Sequence, residues 1–296
     1  TNSINLTEEI LHLCKEYNIL ISTSLDGPAF IHNHNRGKTD SYNRVIEGIN
    51  KVRNYLGADK VSALMTTSEL SINHPKEIVD NYILNGFNNI FLRPLNPYGL
   101  ALNSTNWNIY FDKFFEFYKQ ALNYIIDINI KGKFFVEEFT AILLRKILTP
   151  FTTGFVDLQS PAGIINSVVV YNYDGYVYAS DESRMLAEYH DYTFRLGHVT
   201  DNYENLFYGD KAQQIALIWG TEFIAGCADC AFQSYCGADP VRNHSTQNDM
   251  YGFRPTSSFC KKHKAIITYL FSLIQSEHDR VMPIFKQWIN RNENDF

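Results

Sequence analysis

The sequence predicts an α/β fold: half of a parallel barrel, followed by a loop-rich α+β domain built around a metal site. Three observations carry this reading. Helices and short apolar strands alternate through the N-terminal third of the chain, the pattern of a parallel sheet with helices packed outside it. A hairpin pattern replaces that alternation near Val168. Four of the five cysteines, Cys227, Cys230, Cys236 and Cys260, then follow in the order C-x2-C-x5-C-x23-C.

The elements follow in order. Thr7 caps a helix whose apolar face is Ile10, Leu11, Cys14 and Tyr17. A strand over Ile19–Leu25 ends at Asp26-Gly27-Pro28, a turn sequence. A helix over Ser41–Leu56 carries Val45, Ile46, Ile49 and Val52 on one face, and a strand over Val61–Thr66 follows. Pro75–Asn85 reads as a helix stopped by Gly86, and Ile90–Leu95 as a third strand. Three strands are too few to close a barrel, and the first would present a bare apolar edge. Half a barrel is therefore the expectation, with a small open sheet as the alternative. Two aromatic-rich helices follow between Trp107 and Thr149. Their stripe of Phe111, Phe114, Phe115, Tyr118, Leu122 and Ile125 has helical spacing and reads as core. Val168–Tyr171 and Tyr176–Tyr178 flank Asn172-Tyr173-Asp174-Gly175 as a hairpin. Helices near Lys262–Gln275 and Arg280–Arg291 close the chain. The expected domains are 1–104 as partial barrel with its last three strands, 105–158 as linking helices, and 159–296 as metal-binding domain.

Composition narrows the function classes. A net charge of −6 without a Lys/Arg run argues against nucleic acid as a partner. No apolar run is long enough to span a bilayer, and no signal-peptide pattern opens the sequence. Five cysteines with one isolated do not make a secreted disulfide framework, so a reduced cytoplasm is expected. The chain begins Thr1-Asn2-Ser3 without Met, which suggests a processed product or a piece of something longer. The cysteine density selects a thiophilic partner, zinc or an iron–sulfur cluster. Cys14, on the apolar face of a helix, is expected to be a buried hydrophobe. The histidines are scattered without metal-ligand spacing; His244 and His263 flank the cysteine site in sequence.

Ser24-Leu25-Asp26-Gly27-Pro28, Ile31-His32 and Asn35-Arg36 resemble the fourth-strand signature of peptide-modifying radical S-adenosylmethionine (radical SAM) enzymes. Thr1-Asn2 resembles the end of their preceding strand, with Ser3 where glycine is usual. The C-terminal half resembles their SPASM domain. The runs Cys236-Gly237-Ala238-Asp239-Pro240-Val241, Thr246-Gln247, Asp249-Met250 and Arg254-Pro255-Thr256-Ser257 are most similar to maturases of the His-Xaa-Ser peptide system. The resemblance covers nearly the whole chain. It implies the C-terminal half of a partial (β/α)6 radical SAM barrel followed by a SPASM-like domain, with a peptide as substrate. It implies that Cys227, Cys230, Cys236 and Cys260 hold an auxiliary [4Fe–4S] cluster, with zinc as the competing occupant.

The departures are informative. Ser160 and Ser180 stand at two cysteine positions of the first auxiliary cluster, and Pro240 at a third, which implies one cluster lost as a unit and one kept. The C-x3-C-x2-C motif of the reactive cluster is absent. The chain alone is therefore expected to be inactive, and the missing half to lie upstream or on a partner radical SAM protein. A non-catalytic metal-stabilised module that binds a peptide or partner is the reading from another class. The resemblance places Ser24 against the ribose of S-adenosylmethionine, or else in a purely structural strand end; Asp26 is favoured as a turn residue. Arg93, ending the third strand on the same side, would hold a carboxylate of the cofactor or pair with an outer acid. Asp181, directly after Ser180, corresponds to an aspartate that takes a proton from the substrate in sulfatase-maturing relatives; the alternative is a plain ion pair with Arg184.

Overall fold

The computed structural model describes residues 1–37, 39–98, 106–216 and 220–290. They form two compact units. The first contains residues 1–95, 109–141 and the stretch from Leu273 onward; the second contains residues 142–272 together with the short segment that precedes residue 109.

The first unit is built on parallel strands. Helix α1 (Glu8–Glu16) starts at Thr7, whose Oγ1 accepts from the Ile10 N–H at 3.3 Å. Its buried face is narrower than the periodicity suggests: Leu11 and Cys14 are buried, while Ile10 and Tyr17 are exposed. Strand β1 (Ile21–Ser24) leads through Asp26-Gly27-Pro28 into α2 (Ala29–Arg36) and α3 (Ser41–Leu56), which then feed β2 (Val61–Leu64). β1 and β2 pair in parallel, from Ile21 opposite Val61 to Ser24 opposite Leu64. Gly27 has φ +126°, and a Cβ there would meet Ile78 Cγ1 at 2.8 Å, so this turn requires glycine. Helix α4 (Pro75–Leu84) opens on a proline at its first position, where no N–H is needed. Gly86, at φ +75°, turns the chain into β3 (Asn89–Ile90). A parallel bridge between Thr67 and Pro94 carries the pairing on beyond β2 and β3.

Helix α5 (Trp107–Ile130) buries most of the expected aromatic stripe, with Phe111, Phe114, Tyr118, Leu122 and Ile125 inside and Phe115 half-buried. It is followed by a strand the sequence did not suggest. β4 (Val136–Glu137) pairs in parallel with β3, Asn89 opposite Val136, before α6 (Glu138–Leu148) begins. Two residues show no period-2 alternation, and the surrounding apolar run reads straight into the helix.

In the second unit the hairpin is present, and a third strand extends it. β5 (Val170–Tyr171) and β6 (Tyr176–Tyr178) turn through Gly175 at φ +82°. Helix α7 (Asp181–Ala187) connects β6 to β7 (Arg195–His198), and the three strands form an antiparallel sheet in the order β5-β6-β7. Helices α8 (Tyr203–Tyr208) and α9 (Asp210–Ala216) pack on β7. The core here gathers Tyr98, Ala162, Ile164, Val177, Phe194 and Val241. Helix α10 (Pro240–Gln247) packs on α7, and α11 (Ser258–Ser276) starts four residues before the expected Lys262. Helix α12 (His278–Ile289) belongs to the first unit and buries Val281, Phe285 and Trp288; each such side chain contributes about 1.5–3 kcal/mol by leaving water.

Candidate metal centre

The stretch that carries three of the cysteines has no regular secondary structure to hold it. It is instead a run of tight turns. The Cys227 N–H donates to the Ile224 carbonyl at 2.9 Å, Cys230 to Cys227 at 3.0 Å, Gln233 to Cys230 at 2.9 Å and Cys236 to Gln233 at 3.1 Å. Two glycines let this ribbon lie against its neighbours. At Gly226, with φ +74°, a Cβ would meet Pro255 Cγ at 2.5 Å. At Gly237 a Cβ would fall 2.3 Å from the Asp157 carbonyl oxygen. The fourth cysteine arrives from another element: Cys260 is the third residue of α11, and its N–H donates to Ser257 Oγ at 3.2 Å.

All four thiols are free, and all four line one cavity of about 30 Å³. Phe259, Ile267, His263, Arg254 and Lys264 complete much of the wall. Among the described residues no three His, Cys, Asp or Glu side chains sit together as ligands of a single ion. The thiols nonetheless feel one another. Burial pushes the Cys236 thiol pKa up, Arg254 opposes the shift, and Cys260 and Cys227 add to it. Burial likewise pushes Cys260 up, against the pull of Lys264 and with Cys227 and Cys230 adding. A site of this kind releases several protons only when a positive group arrives to hold the thiolates.

His263 Nδ1 donates to the Phe259 carbonyl at 2.8 Å, and burial drives its pKa well below the usual imidazole value, so the ring is neutral. Its place in the cavity wall agrees with its position near the cysteines in sequence. His244 is elsewhere, hydrogen-bonded to Asp191 at 2.8 Å and edge-on to Phe194. Arg254 is the wall residue that cysteine spacing could not find; only its neighbourhood in the Arg254-Pro255-Thr256-Ser257 run pointed to it. Cys14 is buried and free, as its helical position suggests.

Ser160 and Ser180, which the resemblance sets at cysteine positions, both have hydrogen-bond partners. Ser160 Oγ donates to Glu222 Oε2 at 2.6 Å and accepts from the Thr221 N–H at 2.9 Å. Ser180 caps α7: its Oγ accepts from the Ser183 N–H at 3.2 Å, while Ser183 Oγ faces the Ser180 N–H at 2.9 Å. Pro240 opens α10. A wider groove of about 520 Å³, with Ser160, Lys146 and Gln159 in its wall, lies in the same unit. Asp181 is exposed in the first turn of α7 and pairs with Arg184 at 3.1 Å. The structure therefore shows the ion pair, and shows no burial to suit Asp181 for proton transfer.

In the first unit, Ser24 ends β1 half-buried. Asp26 is fully buried as a fastening for the turn, accepting from Arg36 Nε at 2.7 Å, Arg36 Nη2 at 2.8 Å and the Thr66 N–H at 3.1 Å. His32 Nδ1 accepts from the Asp26 N–H at 3.2 Å, so its Nε2–H faces Ser41 Oγ at 3.2 Å. Arg93 is half-buried beside the Thr67–Pro94 bridge, where its carbonyl accepts from Thr67 at 2.9 Å. Ser24 and Arg93 thus both lie toward the C-terminal ends of parallel strands, the end at which barrel folds place functional groups.

No family model matches the chain. A protein of Methanothermobacter thermautotrophicus described as uncharacterized is 32% identical over 128 residues, and the matched region makes up 43% of this chain and 45% of that one. The match thus spans less than half of that relative. Among solved structures, native anSMEcpe with bound AdoMet matches 95% of this chain and 74% of its own, with a TM-score of 0.71 at 18% identity. Native anSMEcpe with bound AdoMet and the Kp18Cys peptide matches 95% and 75%, with a TM-score of 0.67 at 17% identity. At such identities the likeness is one of fold, and it extends over nearly all of this chain.

Proposed function

We propose that this chain is part of a radical SAM enzyme that modifies a ribosomally made peptide, with Cys227, Cys230, Cys236 and Cys260 holding an auxiliary [4Fe–4S] cluster. The observation that carries the reading is the set of four free thiols around one cavity. It occurs in a chain whose fold is that of a protein solved with AdoMet and with a peptide. A [4Fe–4S] cluster bound here would accept or pass on single electrons. The protein's own part is to supply four thiolates, exclude water with Phe259 and Ile267, and balance charge with neighbouring cations. On the same reading, Ser24 and Arg93 meet the ribose and carboxylate of S-adenosylmethionine in the complete enzyme. The 520 Å³ groove offers polar side chains to a peptide. Asp181 is the proposed proton acceptor, a role that requires its contact with Arg184 to open.

The second reading is a structural zinc site in a binding module. Tetrahedral zinc with bonds of about 2.3 Å draws its sulfurs to roughly 3.8 Å from one another. The same four thiols would supply its ligands, and metal and sulfide analysis separates the two readings. The subfamily, the His-Xaa-Ser maturases, belongs to the proposal, as do the partial barrel and the SPASM-like domain.

The test is anaerobic reconstitution followed by iron, sulfide and zinc analysis. About four iron and four sulfide per chain are expected, falling to trace levels in Cys236→Ala. One zinc and no sulfide overturns the cluster. The chain by itself is expected to form no 5′-deoxyadenosine from S-adenosylmethionine, because its sequence contains no C-x3-C-x2-C.

A further inference from the structure

Arg254 is 3% exposed and lines the cavity with the four cysteines. It sits on a short 3-10 turn, Arg254–Thr256, just before α11 delivers Cys260. One N–H, on Nη1, donates to the Gly237 carbonyl at 3.0 Å, which fixes the guanidinium beside the residue that follows Cys236. Its plane stands over the Phe259 ring, 5.6 Å from the centroid. The remaining donors are not used: Nε and Nη2 are buried and have no hydrogen-bond partner. Among the described residues no carboxylate forms an ion pair with it.

A buried guanidinium with two idle donors and no ion pair is a costly arrangement for a fold to hold, even with the Asp239 carboxylate close enough to feel its charge. The cost is offset if the cavity takes up negative charge. Four thiolates around a [4Fe–4S] core carry a net charge of minus two when oxidised and minus three when reduced, and this cavity is where that charge would reside. A fixed cation with N–H groups free to meet sulfur favours the reduced, more negative state.

Resting on the cluster assignment above, we infer that Arg254 is a positioning residue for the auxiliary cluster, its charge and its Nε and Nη2 donors raising the cluster's reduction potential so that it takes up an electron more readily. The step it controls is the one-electron reduction of the core from 2+ to 1+, with no cluster bond made or broken. The electron comes from dithionite in the titration and from the peptide's carbon radical in the complete enzyme, which is oxidised by one electron as it loses a proton.

The test compares reconstituted wild type, Arg254→Gln and Arg254→Lys in a dithionite titration followed by electron paramagnetic resonance, with iron and sulfide measured on the same samples. In Arg254→Gln, with full iron, the reduced-to-oxidised ratio at the wild-type midpoint is expected to fall at least tenfold, about 59 mV for a one-electron couple. Arg254→Lys, which keeps the charge, is expected to recover most of that ratio. An unchanged midpoint in fully loaded Arg254→Gln overturns the role of Arg254 and leaves the cluster standing. Zinc without sulfide in the wild type overturns both. Where Arg254→Gln does not fold, wild type grown on 15N-guanidinium arginine decides. Spin-echo modulation from 15N is expected in the reduced cluster, and its absence overturns the contact.

Discussion

Glu137 shows how a single buried carboxylate can be held for structure rather than chemistry. It is fully buried at the end of β4. Its Oε1 accepts from the Leu92 N–H at 3.0 Å and the Phe139 N–H at 3.3 Å. Its Oε2 accepts from the Thr140 N–H at 2.6 Å and from Thr140 Oγ1 at 2.5 Å. Burial raises its pKa to about 7, while those donors pull it back toward the usual carboxylate range. The folded state therefore holds a proton more tightly than the unfolded chain. The resulting stabilisation is complete below the unfolded pKa, near 4.5, and is lost as pH rises through about 7. A shift of this size corresponds to about 3 kcal/mol across that window. Urea unfolding at pH 5 and pH 8 should show that loss in the wild type and little of it in Glu137→Gln. The amide sets an NH2 against donors that now face an oxygen, so the variant should also be less stable by about 1–3 kcal/mol. An equal slope in both proteins would assign the pH dependence to another group.

At the scale of elements, the fold was legible wherever a run was long enough to show its period. The stripe on α5, the face of α3 and the hairpin β5–β6 follow directly from apolar spacing. What escaped were the short elements: β4 and β7, defined by the neighbours they pair with rather than by their own alternation, and the helices α2, α7, α8, α9 and α10, each of eight residues or fewer and too short to show a period. The proposed metal site divides in the same way. Cysteine spacing singled out the four thiols that line one cavity, because thiols stand out by residue type. Arg254 became visible only when a turn far along the chain was placed in the cavity wall. The cysteine ribbon also depends on an approach that no pattern encodes, the backbone of Gly237 against residues 157–159. There the Ala238 N–H donates to the Gln159 carbonyl at 3.0 Å. Gly237→Ala puts a methyl carbon 2.3 Å from a carbonyl oxygen, and overpacking of this kind costs about 1–3 kcal/mol. The expected result is less than half the wild-type iron after reconstitution, with far-ultraviolet circular dichroism unchanged. Full loading would mean that the ribbon can shift without losing its ligands.

For the whole molecule, the two units differ in what holds them. The first has long helices around parallel strands, with a close fit even at its start: a Cβ at Gly48 would sit 2.2 Å from the Ser3 carbonyl oxygen. The second relies between residues 220 and 256 on turns and the short helix α10, where few side chains are both apolar and buried. Metal binding should therefore stabilise the second unit selectively. A cluster present at a hundred times its dissociation constant adds about 2.7 kcal/mol. Hydrogen exchange with and without the cluster should show added protection in residues 220–260 and little change around β1 and β2. Uniform protection would mean that the units unfold together. Ser160 and Ser180 give the molecule one more property. Each is now a working part of its surroundings, Ser160 tied to Thr221 and Glu222, Ser180 to the first turn of α7. Changing both to cysteine would remove a helix cap and strand a glutamate while Pro240 still occupied the third position. The two hydroxyls behave as rivets, each holding a neighbour that a thiol in its place would release.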